Sequence, residues 1–240
     1  MIVAGGVVAL TMLAWLYLIR MARSMAAMAM PEMNMWAVPD LSMLVVMWSV
    51  MMVAMMLPTA APMIVLATGA ARRRAGPSVW LIATVFLGGY LVAWCAFSVI
   101  AAFAQFWLHR MALLSPTMAA SSGILGGAIL INAGAYQWLP LKESCLAHCR
   151  SPMHFVMTEW REGTRGVFAM GLRHGLFCIG CCWALMLLLF FAGVMNLVWV
   201  AALSILVLVE KVVRAGPIVG RLTGAALVVW GVIVIAARGF

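Results

Sequence analysis

Residues 175–209 read GLFCIGCCWALMLLLFFAGVMNLVWVAALSILVLV, a run of 35 positions without a charged side chain. A helix needs about 20 mainly apolar residues to cross a bilayer, and it satisfies its own backbone groups in lipid. Of the 240 residues, 67% are apolar and 9% are charged, whereas a soluble domain is about half apolar and a quarter charged. The composition excludes a soluble or disordered chain and predicts an all-α fold, a polytopic transmembrane helix bundle.

Apolar runs predict seven spans within a single membrane domain that occupies residues 1–240. A Met-rich outer loop at 20–41 and a Cys-bearing connection at 140–174 lie between spans on opposite sides. Six spans are the alternative, in which the uncharged run 175–209 forms one long tilted helix. The predicted bounds of the seven spans are about 2–19, 42–68, 79–104, 118–139, 175–193, 197–213 and 217–237.

The basic residues choose between these alternatives by the positive-inside rule. Seven spans place 11 of the 15 Lys and Arg residues on one side, whereas six spans place 9 there. Seven spans are therefore favoured, with the N-terminus and the connection 140–174 in the cytoplasm. Within that connection, residues 152–162 predict a short interfacial amphipathic helix. The net charge of +9 does not indicate nucleic-acid binding, because the basic residues lie between apolar runs.

Five of the six cysteines lie between residues 145 and 182, in two groups with helical spacing. Positions i, i+3 and i+4 of the first group share one helix face, and so do i, i+4, i+7 and i+8 of the second. Two such faces near the cytoplasmic ends of two helices can supply a tetrahedral thiolate site. The first group is Cys145, His148 and Cys149, and the second is His174, Cys178, Cys181 and Cys182.

The metal suited to such a site is a soft or borderline one: Cu(I), Zn(II) or the iron of an iron–sulfur cluster. Cysteine also serves as a small apolar packing residue, as a redox thiol, or as half of a disulfide. All three roles stay open for these cysteines at this point. The convergence of two helix faces favours metal ligation, whereas Cys95 stands apart from both groups and is interpreted as a packing residue.

Methionine is the second unusual feature, because 12 of the 22 methionines fall between residues 21 and 56. Met43, Met47, Met51 and Met55 are each four residues apart and predict a stripe along one face of span two. Uncharged thioethers prefer Cu(I), so this track favours copper, with Met51, Met52 and Met55 as candidate ligands beside the cysteines. Packing is the alternative interpretation, since methionine fills gaps in helix bundles.

Few other polar residues occur in the apolar runs. Glu210 and Lys211 end the sixth predicted span, and they are either functional or an ion pair at the membrane interface. No carboxylate pair, nucleophile triad, phosphate-binding Gly loop or H-E-x-x-H motif is present in the sequence. Whether the chain is an enzyme stays open.

Three stretches carry a resemblance to a known family. They are MMVAMMLP at 51–58, YQWLPLKESCLAHCRSP at 136–152, and Gly171 with HGLFCIGCCW at 174–183. Together with Glu210-Lys211, they are similar to a family of bacterial predicted metal-binding integral membrane proteins of unknown function. The resemblance covers most of 40–235 and implies a multi-pass protein of the bacterial inner membrane. The metal ligands that it implies are Cys145, Cys149, His174, Cys178, Cys181 and Cys182.

These observations favour one function, a membrane protein that binds, transports or delivers Cu(I) through a methionine track to a Cys/His site. Zinc and iron stay open as metals. The alternatives are a membrane-bound metalloenzyme, in particular an oxidoreductase, and a thiol-redox or metal-sensing subunit of a larger complex. The predicted partners are the lipid bilayer and the metal ion, and a protein partner or a homo-oligomer stays open.

Overall fold

A computed structural model describes residues 2–27, 38–73, 78–111, 113–114 and 120–238. The described residues are helical and contain no sheet, and their isolated β-bridge joins Leu114 to Ala120. The all-helical fold class is therefore confirmed for this part of the chain. The helices are α1 (Ile2–Ala27), α2 (Val38–Arg73), α3 (Val79–Arg110), α4 (Gly123–Tyr136), α5 (Pro140–Arg150), α6 (Pro152–Thr158), α7 (Gly163–Met186), α8 (Leu188–Ala192), α9 (Leu197–Val212) and α10 (Gly216–Arg238).

Five stretches of helix in the described residues are long and apolar enough to cross a membrane, so the chain is a multi-pass membrane protein. The count rises to six if α4 and α5, bent by 63° at their junction, form one broken span. Seven spans, as predicted from the sequence, are not reached. The five stretches are Val3–Ser24, Leu41–Ala70, Val79–Arg110, Gly163–Ala192 and Gly216–Ala237.

The shortfall arises at the predicted fourth and sixth spans. Leu139 is extended before Pro140, the conformation that a following proline favours, and the chain therefore bends between α4 and α5. The predicted sixth span is α9, whose 16 residues reach only about 24 Å, less than the hydrocarbon core of a bilayer at about 30 Å. Gly193, at φ 92°, ends α8 in a backbone conformation that favours glycine and separates α9 from it.

The Cys-bearing connection 140–174 is largely helical. It contains α5, then α6, and then the first half of α7, which begins at Gly163. The short helix predicted at 152–162 is therefore present over Pro152–Thr158. Much of the Met-rich loop 20–41 belongs to α1 and α2, and its methionines 28, 30, 33 and 35 lie outside the described residues.

Close backbone contact fixes α3 against α7. A Cβ at Gly89 would collide with the Phe168 carbonyl oxygen, and a Cβ at Gly171 would collide with that of Phe86. Only glycine allows this approach, because it lacks a side chain. The contact sets Tyr90, the neighbour of Gly89, against the cysteine-bearing half of α7.

Two prolines lie inside α2, and one of the carbonyls that they leave free is satisfied by α1. Pro58 has no backbone N–H, so the Ala54 carbonyl oxygen lacks its usual helical donor. The Trp15 indole Nε1 donates to that oxygen at 3.2 Å. This bond joins α1 to α2 at the level of the methionines of α2.

Candidate metal site

The α7 helix carries potential metal ligands along one buried face. His174, Cys178 and Cys182 follow at intervals of four residues, about one helical turn each, and all three are buried. Cys178 lies near the middle of the span Gly163–Ala192. The sequence predicts this group at the mouth of a span that starts at residue 175, and the early start of α7 at Gly163 moves it to mid-helix.

Cys178 stands at the centre of a buried polar cluster. Its Sγ lies 2.8 Å from the Lys211 Nζ of α9 and 3.2 Å from the Tyr90 hydroxyl of α3. The Lys211 ammonium also donates to the Thr59 hydroxyl of α2 at 3.1 Å. Among the described residues, no carboxylate pairs with Lys211. A buried ammonium needs an electron-rich partner, and here the sulfur of Cys178 is that partner.

A thiol and a thioether meet one turn further along the same face. The Cys182 Sγ lies 4.0 Å from the Met56 Sδ of α2, and both side chains are almost fully buried. Each metal–sulfur bond is about 2.3 Å long, so this separation is close to the span of a single ion held by two sulfurs. The Cys182 thiol donates to the Cys178 carbonyl oxygen at 2.9 Å, which keeps it on the Cys178 side of the helix.

The second group of cysteines reaches α7 from α5. The Cys149 and Cys181 thiols are close neighbours across the contact between α5 and α7. The Cys145 Sγ lies over Gly180, where an added Cβ would stand 2.7 Å from it. The two cysteines of α5 are half-buried, whereas Cys181 is buried. Cysteines from both sequence groups therefore meet at the α5–α7 interface.

The two histidines of these groups differ. His148 stacks on Phe177 with ring centroids 4.2 Å apart, and its Nδ1 lies 2.8 Å from the Ser144 carbonyl oxygen. These contacts hold the His148 ring between Phe177 and the backbone of α5. His174 is buried against Tyr90, and its Nδ1 has no hydrogen-bond partner. An orphaned ring nitrogen beside thiols fits a ligand to an incoming soft metal ion.

The methionines of α2 face more than one direction. Met51, Met52, Met55 and Met56 are all buried, whereas Met43 is 62% exposed, so the predicted stripe is not continuous inside the bundle. Met55 lines a cavity of about 210 Å³ together with Trp15 of α1 and residues of α9. The thioether that meets a cysteine belongs to Met56, which the sequence analysis does not include among its candidate ligands.

Glu210 and Lys211 do not pair with each other. The Glu210 carboxylate accepts from the Lys142 ammonium of α5 at 2.7 Å, and Lys142 also donates to the Gln137 side chain. All of these side chains are buried. The interpretation of Glu210 and Lys211 as an ion pair with each other at the membrane interface is therefore wrong. Glu210 pairs with Lys142 of α5, and Lys211 contacts Cys178 of α7.

Within the described residues, no three His, Cys, Asp or Glu side chains are placed to hold one metal ion. The predicted closed tetrahedral site is therefore not preformed. The sulfur atoms meet in twos instead, as Cys182 with Met56 and as Cys149 with Cys181. Such an arrangement of soft, weakly saturated donors suits Cu(I), which accepts low coordination numbers, better than Zn(II), which takes four ligands.

Sequence reasoning missed the roles of Lys211 and Tyr90. The only available signal was an ionisable residue at the end of an apolar run, which marks a functional position without identifying its partner. Tyr90 offered no signal, because a tyrosine in a span is ordinary, and its contact with Cys178 depends on how α3 packs on α7.

The fold and this site define a multi-pass helical membrane protein with buried sulfur donors. A family model described as PpoB2, copper chaperone, matches residues 45–234, so the chain belongs to the PpoB2 copper chaperone family. Membership implies copper handling, in agreement with the metal-binding family that the sequence resembles. No curated protein and no solved structure matches the chain.

Proposed function

We propose that the protein binds Cu(I) at Cys178, Cys182 and Met56 and passes it on to a recipient. The observation that carries the proposal is the contact of the Cys182 and Met56 sulfurs at 4.0 Å, one turn from the Cys178 sulfur. Thiolate and thioether together select Cu(I) over harder ions. Copper is here the cargo, which the chain must both hold and release.

Charge balance supports a monovalent ion at this place. Two thiolates and one Cu(I) carry one net negative charge, and the Lys211 ammonium beside Cys178 offsets it. A buried charge without a partner is costly, so a neutral assembly is favoured in the core. Zn(II) on the same two thiolates would be neutral and would leave the Lys211 ammonium without a counter-charge.

His174 supplies a further donor on this face. Its unpartnered Nδ1 gives a ligand that binds copper without adding charge. His174 lies one turn before Cys178, so it extends the site in the direction away from Met56.

The cysteines of α5 supply a route of release. Cys149 lies beside Cys181, which precedes Cys182 in the chain, and both Cys149 and Cys145 are half-buried and hence nearer to solvent. Copper would leave the buried donors by exchanging onto thiols that a recipient can approach. His148 stacks on Phe177 at the half-buried edge of the α5–α7 interface, and a recipient protein would dock beside it.

The methionines of α2 supply the approach from the other side. Met51, Met52 and Met55 are buried thioethers within two turns of Met56, and thioethers bind Cu(I) weakly enough to release it. We place this protein in the bacterial inner membrane with its N-terminus in the cytoplasm, so that copper enters from the Met-rich loop. Reporter fusions at the two termini test that orientation.

The decisive experiment compares two cysteine variants of the full-length protein in detergent. Cys178→Ser/Cys182→Ser should lose tightly bound Cu(I), measured by anaerobic competition with a chromogenic Cu(I) chelator. Cys95→Ser is the matched control, since Cys95 is an exposed cysteine of α3, and it should bind as the parent does. Equal copper in the double variant and the control would end the proposal.

The thiol-redox alternative has one observation in its favour, the contact between Cys149 and Cys181. That function requires a reversible disulfide between α5 and α7. Mass spectrometry after differential alkylation distinguishes the two functions, because a copper carrier keeps both thiols reduced through a cycle of loading and release.

A further inference from the structure

Two contacts fix how α2 lies against α7 and α8. Met56 meets Cys182, and the Trp48 ring lies 5.4 Å from the Phe190 ring, centroid to centroid. The two contact residues of α2 are eight positions apart, as are Cys182 of α7 and Phe190 of α8, and their order is reversed between the two segments. The two segments are therefore antiparallel and keep one register over two helical turns.

Met52 and Met186 occupy the turn between these contacts. Met52 is four residues before Met56, and Met186 is four residues after Cys182, so each lies on the face of its helix that carries the neighbouring contact. Both side chains are 1% exposed. The register thus sets two buried thioethers opposite each other, one turn from the Cys182–Met56 contact.

We propose that Met52 and Met186 form a second Cu(I) site, made of thioethers alone, between the Trp48–Phe190 contact and the thiolate site. The proposal rests on the proposed function and adds a second binding site to the path of the copper ion. Its ligand is a soft monovalent cation, because uncharged thioethers bind Cu(I) and bind Zn(II) or Mg(II) poorly. The copper stays in the +1 state throughout.

The aromatic contact suits the neighbourhood of a cation without a counter-charge. Trp48 is fully buried, and its indole Nε1 donates to the Gln105 side chain at 2.6 Å, which fixes the ring. Aromatic faces attract cations electrostatically, and the attraction of tryptophan is the strongest. Trp48 and Phe190 therefore close the site on the side away from the cysteines and stabilise its positive charge.

The arrangement orders the two sites by affinity. An all-thioether site holds Cu(I) less tightly than one with thiolates, so copper at Met52 and Met186 moves towards Cys182 and Cys178. Met186 lies on α7 and is therefore not part of the stripe predicted on α2. Its contribution to the site depends on how α7 packs against α2.

The test uses the full-length protein in detergent, labelled with selenomethionine and titrated anaerobically with Cu(I) alone. The parent should bind one tight equivalent and then a weaker one, and selenium-edge absorption should show additional copper–selenium scattering as the weaker equivalent loads. Met186→Leu and Met52→Leu should each lose the weaker equivalent and keep the tight one. Leucine nearly preserves the volume of methionine, so the retained tight site also reports a folded protein.

Met170→Leu is the matched control. Met170 is also a buried methionine of α7, but its Sδ accepts from the Arg161 backbone N–H, far along the helix from Met186. The control should bind both equivalents. A weaker equivalent that survives in Met186→Leu and Met52→Leu overturns this inference while leaving the thiolate site intact. A parent protein that binds no Cu(I) tightly would instead overturn the proposed function.

Discussion

Two buried lysines, Lys142 and Lys211, have partners of different kinds for their buried positive charges. Lys142 donates to the carboxylate of Glu210, a hard oxygen anion that balances its charge. Lys211 donates to the sulfur of Cys178, a soft atom that is also a candidate copper ligand. Lys142 binds Glu210 of α9, and Lys211 is the next residue on that helix, yet the two ammonium groups belong to two separate clusters.

The two lysine contacts lie at adjacent residues of α9, but the first supports the fold and the second belongs to the candidate copper site. The Lys142–Glu210 pair joins α5 to α9, and Arg150 of α5 strengthens that joint by donating to the Glu210 and Val213 carbonyl oxygens at 2.5 and 2.8 Å. The Lys211–Cys178 pair joins α9 to α7 at the candidate metal site. Removing the first should cost stability, and removing the second should cost copper binding.

The largest effect is expected for Glu210→Ala. The substitution leaves the Lys142 ammonium buried without an anion, and removing one partner of a buried ion pair costs about 3–5 kcal/mol. Thermal unfolding of the purified protein in detergent should show a large fall in Tm. The surviving folded fraction should still bind Cu(I).

Glu143→Ala is the control for that experiment. Glu143 also pairs with a basic residue, Arg221, but both side chains are largely exposed. An exposed ion pair contributes about 0–1 kcal/mol, so the Tm should barely change. If the two variants unfold alike, the buried pair does not stabilise the α5–α9 contact.

A second, smaller effect is expected for Lys211→Leu. Without the ammonium, two thiolates and Cu(I) keep an unbalanced negative charge in the core, and the affinity for Cu(I) should fall about 10–100-fold, as for other groups that support metal ligands. The Tm should fall less than in Glu210→Ala, because Leu fills much of the space of the lysine stem and carries no donor atom for copper. Chelator competition measures the affinity, and unchanged binding would remove Lys211 from the site.

The smallest effect is expected for Tyr90→Phe. The change removes a hydroxyl that donates to the Met56 carbonyl oxygen at 3.1 Å and contacts the Cys178 sulfur. One lost hydrogen bond corresponds to about 0.5–1.5 kcal/mol in unfolding free energy. Copper affinity should change less than in Lys211→Leu, since no charge is removed. A larger loss of affinity in Tyr90→Phe would make the hydroxyl, and not the ammonium, the main support of Cys178.

The general architecture could be predicted from local composition, because a bilayer imposes a length and an apolar character on every span. The uncharged run from Gly175 to Val209 illustrates how far this goes. The predicted spans already divide this run between residues 193 and 197, where α8 ends and α9 begins, but they do not include the early start of α7 at Gly163 or the separate α8. Hydropathy does not distinguish a short buried helix from a complete span.

The candidate site was predictable in its cysteines and not in their partners. The spacing of His174, Cys178 and Cys182 places them on one face of any helix. The spacing of Met43, Met47, Met51 and Met55 likewise predicted a stripe, but Met43 is exposed and Met55 faces a cavity beside α1 and α9. A helical period identifies residues that share a face, but it carries no information about what that face contacts.

The amino-acid sequence alone therefore determined that this chain is a helical membrane protein with soft sulfur donors on short helical repeats, since composition and spacing are local properties. Tertiary packing decided that Met56 meets Cys182, that Lys211 meets Cys178, and that Glu210 binds Lys142. Those contacts join residues 33 to 126 positions apart, and their geometry depends on how the helices cross.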